Sequence, residues 1–194
     1  MIITVSDEEF NLLRRIIKEN SEISLGDNKK YLIENRLSSL VIESKCRTFG
    51  EFSRKLMSGP KAAVLVGKVI EAITTNETCW FRDFYPHQYF KKIFLPLMAD
   101  EIKADTRDKI RIWSAASSTG QEAYSIAMTA LEYQREHILG KPVDQCLSIV
   151  ATDISNWAVE KAQDGIYDDN DLKRGLPDGY RERYFKQDDK KWIL

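Results

Sequence analysis

Histidine is nearly absent from this chain: His87 and His137 are the only two in 194 residues. That excludes a histidine-rich metal centre and leaves a serine triad little to draw on. Cysteine is scarce and odd in number. Cys46, Cys79 and Cys146 stand far apart, which points to free thiols in a reducing cytoplasm rather than a disulfide framework. Long apolar runs are missing too. Stretches such as Ala62–Val66 reach about five residues, whereas a membrane span needs roughly 20. Nor is there charge of one sign, since 29 Lys plus Arg meet 30 Asp plus Glu. Nothing therefore advertises a nucleic-acid partner, which would call for a concentrated basic face. The opening residues, Met1-Ile-Ile-Thr-Val-Ser-Asp, carry neither a basic n-region nor a long apolar h-region, so no signal peptide is expected. What is present is a hydrophobic fraction of 43% and a charged fraction of 30%, ordinary for a globular chain with a real core. A cytoplasmic protein of one medium domain or two small ones, without metal, is the expectation.

Residues 1–74 read as helices throughout. Ser6-Asp-Glu-Glu9 and Thr48-Phe-Gly-Glu51 both fit the capping box. Phe10, Leu13 and Ile17 follow the first, and Phe52 and Leu56 the second. Ile33, Leu37, Leu40 and Val41 form another apolar stripe, and Pro60 suits a helix start ahead of Val66, Val69, Ile70 and Ile73. A helical bundle over 1–74 is expected. From residue 75 the pattern changes. A helix from about Asp83 to Leu97 is interrupted or ended by Pro96, and Asp100–Lys109 reads as a loop or helix end. Ile110–Trp113 reads as a strand, Ser114–Gly120 as a small-residue turn and Gln121–Glu136 as a helix. Leu147–Ala151 is a second strand leading into Thr152-Asp153, and Ser155–Gln163 a further helix. Strand, turn, helix, strand, acidic residue, helix is the pattern of a doubly wound parallel sheet.

In such sheets the ligand lies beyond the carboxyl ends of the strands. The turn Trp113-Ser-Ala-Ala-Ser-Ser-Thr-Gly120 offers close backbone approach, and Asp153 offers a carboxylate to both hydroxyls of a ribose. The turn is not GxGxxG, however, and the acidic residue comes later than in dinucleotide binders. An adenosine site and a plain surface loop on an α/β scaffold both stay open on pattern alone. Glu122, at the start of the following helix, separates the possible cofactors. A pyrophosphate would compete with it for the positive end of the helix dipole, whereas a cofactor ammonium would pair with it. S-adenosylmethionine carries both a ribose and an ammonium. Asn76-Glu-Thr-Cys-Trp-Phe-Arg-Asp83 marks the junction of the two regions, either as a helix boundary with aromatic core residues or as the wall of a pocket.

Three stretches carry a resemblance: Asn76-Glu-Thr-x-x-Phe-Arg-Asp83, the run from Arg111 to Met128, and Ala151-Thr-Asp-Ile-Ser155. Together they closely resemble the CheR family, chemotaxis receptor protein-glutamate O-methyltransferases. Glu160-Lys-Ala162, Gly165-Ile-Tyr167, Arg174-Gly-Leu-Pro177 and Arg183-Tyr-Phe185 extend the likeness over nearly the whole chain. The resemblance implies an N-terminal all-helical domain (1–74) and a partial Rossmann-like α/β domain (75–194) that binds S-adenosylmethionine. It also implies methyl esterification of receptor glutamates. Asn76, Thr78, Arg82, Glu122 and Asp153 match its cofactor-binding positions, with Arg82 near the methyl-transfer region. Asp153 would hold the ribose and Glu122 the methionine end.

Gln121, Ala123 and Ser117 depart from the family's usual residues but spare Glu122. The helix around Lys29–Lys45 is similar to the family's receptor-facing basic helix. Lys29, Lys30 and Arg36 remain there, but Ser38 and Ser39 stand where arginines are typical. The chain stops at Leu194, where the family continues through further strands, so a truncated chain with exposed sheet edges and a tendency to self-associate is expected. A truncated relative that binds cofactor or receptor without catalysing transfer is the alternative. A structural Arg82–Asp83 ion pair is the bland alternative to a role for Arg82 in the reaction.

Overall fold

Ser6 opens the first helix as its sequence demands. Its hydroxyl accepts the Glu9 amide, and the Glu9 carboxylate accepts the Ser6 amide, so two unpaired donors of the helix start are satisfied. The computed structural model describes residues 3–59 and 61–194, and in it α1 runs Asp7–Ser21. Helices α2 (Lys30–Glu43), α3 (Phe49–Met57) and α4 (Ala62–Ile73) follow. The chain divides into two units, one ending at Thr75 and the other Asn76–Leu194. The core of the first unit is the set of apolar positions at helical spacing: Leu13, Ile17, Ile33, Leu37, Val41, Phe52 and Val69 are wholly or almost wholly buried. Burial of each such side chain stabilises by about 1.5–3 kcal/mol relative to exposure.

Two local expectations in this unit are adjusted, and a third falls on a residue outside those described. Thr48 accepts the Glu51 amide at 3.1 Å, but the Glu51 carboxylate takes the Arg47 amide at 2.7 Å instead of the Thr48 amide. The second capping box is thus not reciprocal. The helix start assigned to Pro60 lies outside the described residues. Arg36 is turned away from the receptor-facing role implied by the resemblance. Its guanidinium donates to the carbonyls of Ile73 (2.8 Å) and Thr74 (3.0 Å) and to Thr75 Oγ1 (3.2 Å). Those carbonyls are ones a helix end leaves unpaired, and a cation there also favours the dipole.

The second unit begins with a long interrupted helix: α5 (Phe84–Tyr89), a π-helical stretch (Phe90–Phe94) and α6 (Leu95–Lys103). The helix passes Pro96 rather than stopping near Leu97. Proline sits in the first turn of α6, where its missing N–H leaves no donor unmet, and the wide turn before it absorbs the break. Strand β1 (Ile110–Ala115) pairs in parallel with β2 (Leu147–Thr152), register Ile110↔Leu147 through Ala115↔Thr152. Between them come α7 (Gln121–Glu136) and the single turn α8 (Val143–Cys146), and α9 (Asn156–Asp164) follows β2. This is the expected α/β order, with a two-stranded parallel sheet. Leu95, Ala99, Ile110, Ala130 and Cys146 pack beneath it.

The segment after α9 holds structure the sequence did not announce. Strands β3 (Ile166–Tyr167), β4 (Lys186–Asp188) and β5 (Lys191–Ile193) form an antiparallel sheet in the order β3-β5-β4. The short helices α10 (Asp169–Lys173) and α11 (Tyr180–Tyr184) lie between β3 and β4. Trp80 anchors a core with Met128, Tyr167, Leu172 and Phe185. Its ring meets Tyr167 and Phe185 edge-on at 5.0 and 5.4 Å. The Trp80 amide donates to the Arg174 carbonyl at 2.9 Å. No helix among the described residues is long and apolar enough to cross a membrane.

Gly175 makes that approach possible. It has φ +93°, and a Cβ there would stand 2.1 Å from the Trp80 carbonyl oxygen. Gly175→Ala is therefore expected to cost at least about 2–3 kcal/mol in chemical denaturation, and a change within 0.5 kcal/mol, roughly the scatter of a surface substitution, would contradict the contact.

Glu132 on α7 accepts the Tyr184 hydroxyl and, at 2.5 Å, Arg183 Nη1. Burial pushes its carboxyl up, but the Tyr184 and Arg183 partners outweigh burial and hold it below the usual carboxylate range. A depressed folded-state value means stability present above the unfolded pKa of about 4.3 and lost as pH falls through the folded one. Glu132→Gln is expected to destabilise by about 1.5–3 kcal/mol at neutral pH, with the gap to wild type narrowing as acid is added below about pH 4.

Candidate functional site

The carboxyl ends of the parallel strands carry the polar groups. Asp153 directly follows β2, and both of its oxygens are oriented by backbone donors: the Ser118 amide at 2.7 Å and the Ser155 amide at 2.9 Å. Each oxygen keeps a further lone pair. Helix α9 is capped by Ser155, whose hydroxyl accepts the Ala158 amide. Asp153 is thus not the helix cap, and it remains able to accept vicinal hydroxyls. Asn76 Nδ2 donates to that same Ser155 hydroxyl at 3.1 Å. A continuous hydrogen-bonded chain therefore runs Asn76, Ser155, Asp153, Ser118.

The turn between β1 and α7 reaches Asp153 only through unusual backbone. Ala116 (φ 56°), Ser118 (φ 49°) and Gly120 (φ 94°) all lie in the left-handed region. For the two non-glycine residues this costs roughly 1–3 kcal/mol each. The Ser117 amide pins the turn to the Thr152 carbonyl at 3.0 Å, and Tyr167 Oη donates to the Thr119 carbonyl at 2.7 Å. Ser118 Oγ is buried without a hydrogen-bond partner among the described residues.

Glu122 stands in the first turn of α7, exposed, and accepts the Ser114 hydroxyl at 2.6 Å. Ser114 belongs to β1, so the strand aims the carboxylate. A cavity of about 560 Å³ opens there, lined by Arg82, Asp83, His87, Arg111, Trp113 and Glu122 among others. Arg82 is exposed and donates to the Glu77 carbonyl at 3.3 Å. No Arg82–Asp83 ion pair forms among the described residues, so that structural alternative is not what the fold uses. The Phe81 amide, donating to Ser125 Oγ of α7 at 3.0 Å, holds this segment in place.

Of the five expected positions, the fold brings Arg82 and Glu122 into one cavity and links Asn76 to Asp153 through Ser155. Thr78 is half-buried and lines no part of the cavity. Sequence reasoning missed His87, while Trp113 and Ser114 lie in the turn it singles out but receive no individual role there. His87 had a signal, being one of only two histidines. Its ring packs 5.2 Å from Phe81. Burial pushes its pKa down, and the carboxylates of Glu122 and Asp83 recover only part of that. The imidazole is therefore neutral at neutral pH. Trp113 is 71% exposed and donates from Nε1 to Thr152 Oγ1.

A ligand with a ribose and an ammonium fits these groups. There is a two-oxygen acceptor already held in place, a carboxylate beside a roomy cavity, and a turn of small residues that lets a ligand approach the backbone. Asp153→Ala removes the acceptor of two backbone amides, so hydrogen exchange at the Ser118 amide is expected to speed up by at least about tenfold, equivalent to roughly 1.4 kcal/mol of local stability. Unchanged protection would mean that the turn holds itself.

Known proteins resemble this chain along nearly its whole length. Residues 76–193 match the family model "CheR methyltransferase, SAM binding domain", and residues 8–74 match "CheR methyltransferase, all-alpha domain". A chemotaxis protein methyltransferase of Vibrio parahaemolyticus is 42% identical over 185 residues, covering 95% of this chain and 64% of that protein. Chemotaxis protein methyltransferase 1 of Pseudomonas aeruginosa is 37% identical over 182 residues, covering 94% and 64%. The chemotaxis protein methyltransferase of Escherichia coli is 32% identical over 183 residues, covering 94% and 58%. The chain thus spans a little under two thirds of the length of these relatives. With both family models matched in order along it, the chain belongs to the CheR methyltransferase family, and its second unit is that family's S-adenosylmethionine-binding domain.

Proposed function

We propose that the protein transfers a methyl group from S-adenosylmethionine to glutamate side chains of chemotaxis receptors, forming glutamyl methyl esters. The observation that carries this reading is the cavity shared by Arg82 and Glu122, together with Asp153 oriented at the end of the adjacent strand. The names of the relatives, chemotaxis protein methyltransferases, support the setting.

The sulfonium of S-adenosylmethionine supplies an already activated methyl group. The acceptor is also ready, because a glutamate with a pKa of about 4.3 is an anion at neutral pH. A carboxylate oxygen forms the new C–O bond as the C–S bond breaks and its electron pair returns to sulfur. No proton moves, so the chain needs to align and desolvate rather than to act as acid or base. Asp153 accepts both ribose hydroxyls with its free lone pairs. Glu122, aimed by Ser114, pairs with the cofactor's ammonium. Asn76 supports the cofactor site from the start of the second unit by fixing Ser155, while Thr78 enters only through the resemblance. Arg82 lies at the reacting end, where its guanidinium attracts and orients the incoming carboxylate. For receptor docking, Lys29 remains, since Arg36 caps α4 and Lys30 is paired with Asp7.

Incubating the protein with labelled S-adenosylmethionine and a receptor fragment bearing the methylation glutamates should yield base-labile methyl esters. Their absence, with cofactor binding intact, would favour a non-catalytic binding module. Asp153→Ala is expected to weaken S-adenosylhomocysteine by roughly 2–3 kcal/mol in calorimetry, and unchanged affinity would remove the ribose assignment. Arg82→Ala is expected to lower turnover more than cofactor affinity, with Arg82→Lys restoring only part because it lacks the planar fork. Parallel loss of turnover and thermal stability would make Arg82 a structural residue.

A further inference from the structure

His87 is the one group of the cavity whose charge can change near neutral pH. We infer that His87 is a specificity-determining residue: as a neutral imidazole it admits the cationic S-adenosylmethionine to the cavity, and as an imidazolium it rejects it. The inference rests on the reading in which Glu122 holds the cofactor's ammonium.

Two carboxylates act on His87, Asp83 just before α5 and Glu122 of α7, while Arg82, Arg111 of β1 and the titratable Tyr89 of α5 line the same cavity. With His87 neutral, the two arginines and two carboxylates balance. The cofactor brings an ammonium, a carboxylate and a sulfonium, a net positive charge. The product brings only the ammonium and carboxylate. A protonated His87 would add a third protein cation in a half-buried position, where it repels the sulfonium and competes with the ammonium for Glu122.

The coupling works in both directions. Glu122 is one of the two carboxylates that favour the protonated ring. A cofactor ammonium seated on Glu122 takes away part of that support, so cofactor binding and His87 protonation oppose each other. Affinity for the cationic cofactor is therefore greatest above the pKa of His87 and falls as pH drops through it. The packing of the ring against Phe81 keeps it in the cavity instead of letting it swing to solvent.

Calorimetric titration with S-adenosylmethionine, S-adenosylhomocysteine and 5′-methylthioadenosine, which lacks the amino-acid end and the positive charge, tests this. For the wild type, S-adenosylmethionine should weaken progressively as pH falls from about 7.5 to about 5, by more than about twofold, with S-adenosylhomocysteine less affected and methylthioadenosine unchanged. His87→Gln should abolish most of that pH dependence, and His87→Lys should bind S-adenosylmethionine weakly at both pH values. Binding of methylthioadenosine by each variant reports that its site has folded. A pH dependence equal for all three ligands, or one retained in His87→Gln, overturns the inference. Wild-type affinity in Glu122→Gln instead overturns the underlying assignment of Glu122. An absence of S-adenosylmethionine binding at every pH overturns both.

Discussion

The Asp153 carboxylate, held between the Ser118 and Ser155 amides, is the interaction on which the rest of the second unit depends. It closes the turn after β1 onto the end of β2, and so keeps Ala116 and Ser118 in a left-handed conformation they would not hold unaided. Everything near the site is referred to that closure. Ser155 carries it to Asn76 at the start of the unit. The end of the turn sets where α7 begins, and hence where Glu122 stands relative to Ser114.

The remaining packing secures the walls around that point. Trp80 lies one residue before Phe81, whose amide is bound by Ser125. The aromatic core of Trp80, Tyr167 and Phe185 therefore fixes the segment that presents Arg82. Tyr167 serves the turn directly through the Thr119 carbonyl. The small antiparallel sheet is thus not an appendage, because β3 supplies that tyrosine. Gly175, pressed against the Trp80 carbonyl, shows how closely this last part of the chain is fitted to the site segment.

What the sequence revealed and what it hid follow from the range of the interactions. The capping box at Ser6, the apolar stripes of the first unit and the β1-α7-β2-α9 order rest on near-neighbour patterns, and they were legible. At Pro96 the sequence leaves interruption and ending open, because a local rule for proline does not include the π-helical turn that lets the helix continue. Glu51 satisfied Arg47 in place of Thr48 because a carboxylate can choose either of two adjacent amides. Strands of two or three residues such as β3 and β5 have no periodicity to detect, and they exist only through pairing with distant chain. The site divides the same way. Asp153 and Glu122 sit at element ends where pattern locates them. His87 and Trp113 join the cavity only because α5 and β1 line the same space, a juxtaposition no spacing rule encodes. Arg36 illustrates the converse: its basic helix invited a docking role, while tertiary structure commits it to the end of α4.

The most direct test of the account is a crystal structure of the protein bound to S-adenosylhomocysteine. The account predicts both ribose hydroxyls within about 2.6–3.2 Å of the Asp153 carboxylate oxygens, the ammonium on Glu122, and the sulfur directed into the cavity lined by Arg82 and His87. A ligand seated elsewhere, with Asp153 touching only Ser118 and Ser155, would contradict it.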